Sequence, residues 1–430
     1  MITNIEEFIN SINYKGLNNR GNIYAQIIKG ERLRQNKTLE EVASGICSIS
    51  YLCKLENYMI YPPQNLVKQV FEKMNITYGE INEDNLENVL DDSIKDFFYK
   101  NEYNIFNNYL KIKEYKASPQ VILIKCLYNL LKKNYKEVAN DVSHLDEIKD
   151  TLGGIEAITL ILVTIYYYIY NCNYKKAYML LKCTDYLKVD NKYIKYLFFN
   201  ANLYTAFHLR DNSRFIKLYL KIDDYEYLGF PMDKRIIFRL MFDILNYEDF
   251  PIESVYDFES INLNNYNDVI LDELMYYKSI IYINAGKYID VFKEISDSKY
   301  VTNPKFLGIL SVCAYCLNQK MYYDKLLEII NDNSSALDDS NSLVIHKVFI
   351  YLVLMYGVNS NKDELNEYIK DEVLKISEKC CDYLYSKIIE EIFVSLLSSQ
   401  HHYKEAYLYL KSLVDFKYNK NIWNNVDCIV

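Results

Sequence analysis

Three groupings in the sequence have the composition of chemical sites: Cys313-Ala314-Tyr315-Cys316, the adjacent Cys380 and Cys381, and the adjacent His401 and His402. A Cys-x-x-Cys pair supplies two of the four ligands of a structural zinc, and a second pair or two histidines must supply the rest. No such partner occurs at zinc spacing. The 11 glycines are scattered, so no loop cradles a phosphate. There is no nucleophile elbow and no metalloprotease signature. The many carboxylates read as solvated helix faces, and Cys47, Cys53, Cys313 and Cys316 read as small packing residues. The expectation is a protein that is not an enzyme, with no metal and no cofactor.

The elements that carry these residues are helices. Half of the 430 residues are hydrophobic and a quarter are charged, with 11 Gly and only 6 Pro. Long apolar-periodic stretches with few breakers specify helix nearly throughout. Net charge is −9, unevenly placed. Residues 1–75 hold nine Lys/Arg against seven Asp/Glu, so the rest of the chain carries −11. The longest apolar run, AITLILVTIYYYIY over 157–170, is short of the roughly 20 residues of a membrane span. The opening MITNIEEFIN has no basic stretch followed by an apolar one. These features predict a cytoplasmic protein with reduced thiols and no membrane partner.

One pattern recurs. NYKEVANDV (134–142), NYKKAYMLL (173–181), KYIDVFKEI (287–295) and HYKEAYLYL (402–410) share an aromatic, two polar residues, a small or aliphatic anchor, and a later aliphatic. The anchors run Phe106, Val138, Ala177, Ile216, Val255, Val291, Leu326, Leu365, Ala406, at intervals of 32 to 41 residues. Each interval accommodates two helices and a turn. One pair cannot bury its apolar faces alone, and stacked pairs can.

The N-terminal part reads differently. IYAQIIKGERLRQ (23–35) has helical spacing. Thr38 and Glu41 form a capping box for the next helix, Gly45 supplies a tight turn, and Ser48 caps ISYLCKLEN. Pro62 and Pro63 open a helix from 64. The stretch IKGERLRQNKTLEEVASGICSISYLCKLEN resembles the helix-turn-helix of the xenobiotic-response-element, phage-repressor type. Followed by repeats that resemble tetratricopeptide units, it resembles the RRNPP family of peptide-responsive regulators, in its NprR-like and RstA-type branches. The resemblance implies an all-α chain: a helix-turn-helix domain over 1–76, an acidic linker helix over 77–96, and a repeat domain over 97–430. The repeats would form a right-handed superhelix of about nine helix pairs.

The resemblance also implies a function. A homodimer would bind two-fold operator DNA. Ser48, Ile49 and Ser50 would meet base edges, Lys54 a guanine or phosphate, and Lys37, Thr38 and Asn57 the backbone. Arg32 and Glu56 match the family's internal ion pair. A short signalling peptide would lie in the concave face of the repeats. Counting back from the anchors by analogy assigns to that face Tyr166, Tyr170, Asn202, Thr205, His208, Glu273, Tyr276, Asn284, Tyr315, Asn318, Gln319 and Lys347. Sporulation or virulence genes are the expected targets. The alternative is an adaptor whose repeats bind a phosphorelay or other regulatory protein, with DNA binding secondary. Leu39 where relatives carry Gln, and the lack of basic residues over 59–61, favour that alternative.

Overall fold

The structure is a computed structural model. It describes residues 2, 7–10, 12, 23–57, 59–77, 83–115, 117–184, 187, 189–222, 232–245, 268–334, 337, 344–357, 361–377 and 383–418. Among these the chain is all-helical, with no strand. It divides into two compact units, 1–170 with 176–202, and 171–175 with 203–430.

Four short helices come first: α1 (Ile23–Arg34), α2 (Leu39–Ala43), α3 (Ile49–Glu56) and α4 (Gln64–Lys73). Longer helices then alternate with partners that are mostly shorter. These are α5 (Glu83–Phe98) and α6 (Glu102–Ile112), α7 (Pro119–Leu131) and α8 (Tyr135–Glu147), α9 (Gly154–Tyr170) and α10 (Tyr174–Thr184), α11 (Lys192–His208) and α12 (Asn212–Tyr219). After α13 (Met232–Leu245) come α14 (Asp268–Asn284) and α15 (Tyr288–Ser296), α16 (Pro304–Leu317) and α17 (Lys320–Asp332), α18 (Val344–Gly357) and α19 (Lys362–Tyr368), α20 (Tyr383–Ser399) and α21 (Tyr403–Tyr418). Within the first unit α7 packs on α5, α6, α8 and α9. Within the second, α16 packs on α14, α15, α17 and α18, and α18 reaches α20. α7 and α16 therefore each touch their own partner and the first helices on either side.

The anchor residues fall on the second helix of every described pair; Val255 lies outside the described residues. Val138, Ala177, Val291, Leu326, Leu365 and Ala406 are buried. Two anchors are corrected by one residue: Ile105 and Phe215 are buried, while Phe106 is exposed and Ile216 is only half-buried. The acidic stretch expected as a linker forms α5, whose Leu86, Leu90, Ile94 and Phe98 are buried, and which packs on α6 and α7.

The turn inside the pairs explains the register. Lys100, Lys133, Cys172, Arg210, Gly286, Asn318 and His401 all have positive φ, between 47° and 73°. Each sits five residues before a buried position: Ile105, Val138, Ala177, Phe215, Val291, Tyr323 and Ala406. At Lys133 the cap is a Schellman motif, with Lys133 N–H donating to the Leu130 carbonyl and Asn134 N–H to that of Asn129, at 3.3 and 2.9 Å. Arg210 and Asp211 repeat it, at 3.0 and 2.9 Å. Only Gly286 adopts this conformation without a Cβ penalty.

Contacts within the second unit are tight. A Cβ on Gly308 would run into the Tyr385 hydroxyl, and one on Gly357 into the Tyr323 ring. The Tyr385 hydroxyl hydrogen-bonds His346 Nδ1, and its ring stacks on Phe349 at 4.0 Å. Burial first, then the nearby Lys305 ammonium, pushes the His346 pKa down to about 3.

Two stability predictions follow from these features. Lys133→Gly and Arg210→Gly each remove a left-handed Cβ penalty and are expected to raise stability by about 0.5–1 kcal/mol, after the extra unfolded-state entropy of glycine. A urea midpoint that does not move would remove the penalty from the account. For His346, the unfolded ring protonates near 6.5 and the buried ring near 3, so the unfolded chain binds more protons between. Its stabilising share is complete above pH 6.5 and is lost as pH falls through that window, about 2 kcal/mol by pH 5. His346→Phe should therefore flatten the pH dependence of the urea midpoint between pH 7 and 5.

Candidate functional site

The segment from α1 to α4 is built around one ion pair. Arg32 Nε and Nη2 donate to the two carboxylate oxygens of Glu56, at 2.7 and 2.8 Å, and Nη1 donates to the Lys37 carbonyl at 3.0 Å. The Glu56 side chain is only 4 % exposed. Its hydrogen bonds raise the guanidinium pKa, so Arg32 stays charged. The pair fixes the end of α3 against α1. Leu52 and Leu55 of α3 and Val42 and Ala43 of α2 are buried beside it. Gln35, just after α1, donates to the Met74 carbonyl at 2.8 Å, and Lys73 of α4 donates to the Ser44 carbonyl, closing the far side.

Capping sets where α2 and α3 begin. The Thr38 hydroxyl accepts from Glu41 N–H at 3.1 Å, and Glu41 Oε2 accepts from Thr38 N–H at 2.7 Å. The Ser48 hydroxyl accepts from Tyr51 N–H at 3.1 Å. Gly45 turns the chain between them at φ +77°, a conformation that disfavours any Cβ although nothing lies within 4 Å of one.

The residues expected to read DNA are mostly exposed. Burying Leu52, Leu55 and Glu56 leaves Ser48, Ile49, Ser50, Lys54 and Asn57 exposed, Ile49 at 47 %. Thr38 is exposed and Lys37 half-buried at the head of α2. Asn57 caps α3, and its amide also reaches Cys53 Sγ at 3.5 Å. Two large side chains were missed: Met59 and Tyr61, just beyond α3, are 71 % and 79 % exposed. An apolar pair in a proline-bounded loop carries no periodicity that would mark it as surface. Burial raises the Cys47 thiol pKa, which keeps the thiol protonated.

The groove residues divide. In the first unit Tyr166 is buried, with its hydroxyl donating to the Leu197 carbonyl at 3.0 Å and its ring edge-on to Phe97 at 5.2 Å. Tyr170 is half-buried beside it at 5.7 Å. The buried Asn202 amide donates to Phe198 of its own helix at 3.0 Å. In the second unit Thr205 is buried, and His208 is stacked on Tyr174 at 4.0 Å. Burial lowers the His208 pKa well below the usual range, with Lys305 and His346 adding to it. Tyr276 is buried beneath the Lys305 ammonium, 3.7 Å from its ring centre. Tyr166, Asn202, Thr205, His208 and Tyr276, assigned to an open groove face, are therefore buried among the helices. First helices such as α9 are buried on nearly all sides, so the counted positions land in the packing between helices.

The remaining assignments keep some surface. Glu273 is half-buried and accepts from Tyr204 at 2.9 Å; Asn284 is half-buried at the end of α14. Tyr315 is half-buried against Tyr356 at 5.5 Å. Asn318 and Gln319 are exposed in the turn before α17, and Lys347 is exposed on α18. Cys380 and Cys381 lie outside the described residues. Among the described residues no three His, Cys, Asp or Glu are grouped to hold a metal, and no helix is long and apolar enough to cross a membrane.

Removing Glu56 strands a largely buried guanidinium. Glu56→Ala is expected to cost about 2–3 kcal/mol, below the usual range for a fully buried pair because Arg32 keeps some solvent contact. Native-state hydrogen exchange of α1 to α4 measures it, and unchanged protection of α3 would show that the pair is not what holds that helix. No protein-family model, curated protein or solved structure matches the chain.

Proposed function

We propose that this protein is a homodimeric, peptide-controlled DNA-binding regulator. The observation that carries the reading is the exposed side of α3: two hydroxyls, an aliphatic and a lysine project from a helix whose opposite side is locked by Leu52, Leu55 and the Arg32–Glu56 pair. A rigid helix with short polar residues at its N-terminal end suits base edges in a major groove. In this reading α3 is the reading helix of a helix-turn-helix. Thr38 and Lys37 grip the backbone, and the helix pairs form a tetratricopeptide-like array that receives a short peptide.

Control would run through direct packing. α1 rests on α8: Gln26 Nε2 donates to the Thr151 carbonyl at 2.8 Å, and a Cβ on Gly30 would stand 3.4 Å from both His144 and Ile148. A shift of the first helix pairs would move α1 and the reading helix with it. A peptide that binds one arrangement better than another then changes DNA affinity.

The adaptor reading keeps one supporting observation. Glu40 and Glu41 are exposed on α2, and the chain beyond residue 75 carries −11, a balance that suits a basic protein partner better than a polyanion.

Fluorescence anisotropy of the full-length protein on its own promoter separates the two. Ser50→Ala/Lys54→Ala should weaken binding by about tenfold or more and flatten its salt dependence, from the loss of one base contact and one phosphate contact. Equal affinity of wild type and double variant, at this promoter and at other candidate operators, would leave the adaptor reading standing.

A further inference from the structure

The second unit brings together one cluster of polar groups drawn from four helices. Tyr315 and Cys316 end α16, Tyr323 lies in α17, Tyr356 ends α18, and Glu391 lies in α20. The rings of Tyr315 and Tyr356 are 5.5 Å apart. Tyr323 lies against Gly357, where only glycine leaves room for its ring. Its side chain is buried, at 3 % exposure, yet among the described residues no group hydrogen-bonds its hydroxyl. A buried hydroxyl without a partner is costly and uncommon, and it marks a place where a polar group from elsewhere fits. The Glu391 carboxylate lies near enough to raise both the Tyr315 phenol and the Cys316 thiol after burial has done so. Burial and then Tyr356 push the Tyr323 phenol up to about 12, so it stays protonated at neutral pH. Glu391 is exposed and makes no ion pair among the described residues. A hydrogen bond with Tyr288, and after it the exposed Lys387 one turn earlier on α20, act in the opposite direction on the Cys316 thiol.

We infer that this cluster receives an organic ammonium or guanidinium group. Its chemistry is aromatic faces, phenolic oxygens and an unpaired carboxylate. A group that only donates hydrogen bonds and carries positive charge satisfies all three at once: it pairs with Glu391, donates to the Tyr323 oxygen, and rests on the faces of Tyr315 and Tyr356. The −11 carried beyond residue 75 draws cations toward the whole chain, and the cluster gives them a place to stay. The group can belong to a basic side chain of a peptide or to a free polyamine. The site does not depend on how α1 to α4 are used.

Isothermal titration calorimetry on the full chain at fixed ionic strength tests it. The probes are argininamide, spermidine, and an acetylated, amidated alanine pentapeptide with one central arginine. Saturable binding of at least one probe is expected. Glu391→Gln should weaken it about tenfold and Tyr323→Phe about threefold. Lys387→Gln, which removes a neighbouring positive charge, should tighten it. Tyr323→Phe removes a hydroxyl that bonds nothing in the free protein, so its melting temperature should stay level or rise while the ligand affinity falls; that split separates binding from folding. Tighter binding of the pentapeptide than of argininamide assigns the group to a peptide side chain, and tighter binding of spermidine assigns it to a polyamine. No saturable binding of any probe, or equal affinity of wild type and Glu391→Gln, would overturn the assignment.

Discussion

Helix α9, from Gly154 to Tyr170, has almost no side that tolerates water: from Glu156 through Tyr166 every residue is buried. Each large aliphatic on it gains about 1.5–3 kcal/mol only if neighbours cover it. One partner helix covers one side. The chain therefore places α8 on one side and the first helix α7 on another, and the same requirement recurs at α16 and α18. Packing of neighbouring pairs within each unit follows from this constraint, because one partner helix leaves most of such a helix uncovered.

The turns make that packing repeatable. A left-handed residue reverses the chain within two or three residues and delivers a buried side chain five positions later. Lys100, Lys133 and Arg210 hold this conformation against a Cβ penalty, so the packing they permit must outweigh it. Close approach is the other condition. Gly308 and Gly357 let Tyr385 and Tyr323 lie directly on the backbone of α16 and α18. One tyrosine bonds His346; the other is left with an unused hydroxyl.

The N-terminal helices obey a different economy. Beside an apolar core that includes Ile28, Leu52, Leu55, Val70 and Phe71, the Arg32–Glu56 pair with its third bond to Lys37 adds a directional constraint. A bidentate pair fixes direction as well as distance, so it sets the orientation of α3 on a core that apolar side chains already hold. α1 rests on α8, so the orientation of these helices is linked to the first helix pairs of the same unit.

What the sequence alone determined about this protein is what local chemistry decides. The helical class came from composition and periodicity, the starts of α2 and α3 from hydroxyls that cap backbone N–H groups three residues on, and the second helices from the anchor spacing. The Arg32–Glu56 pair was legible only through family resemblance, since 24 positions separate the partners. Tertiary structure alone decided the fate of the tyrosines and amides. Tyr166, Thr205 and Tyr276 went into the packing, and Asn202 spent its amide on its own helix. Tyr and Asn fit a wet face and a satisfied interior equally well, so neither residue type nor count settles which. The one-residue slip to Ile105 and Phe215 has the same origin: an anchor pattern fixes a period, and only the turn five residues earlier fixes the phase. The unused Tyr323 hydroxyl and its neighbours from three other helices could be found only once those helices were folded together, because sequence separation carries no record of which side chains meet.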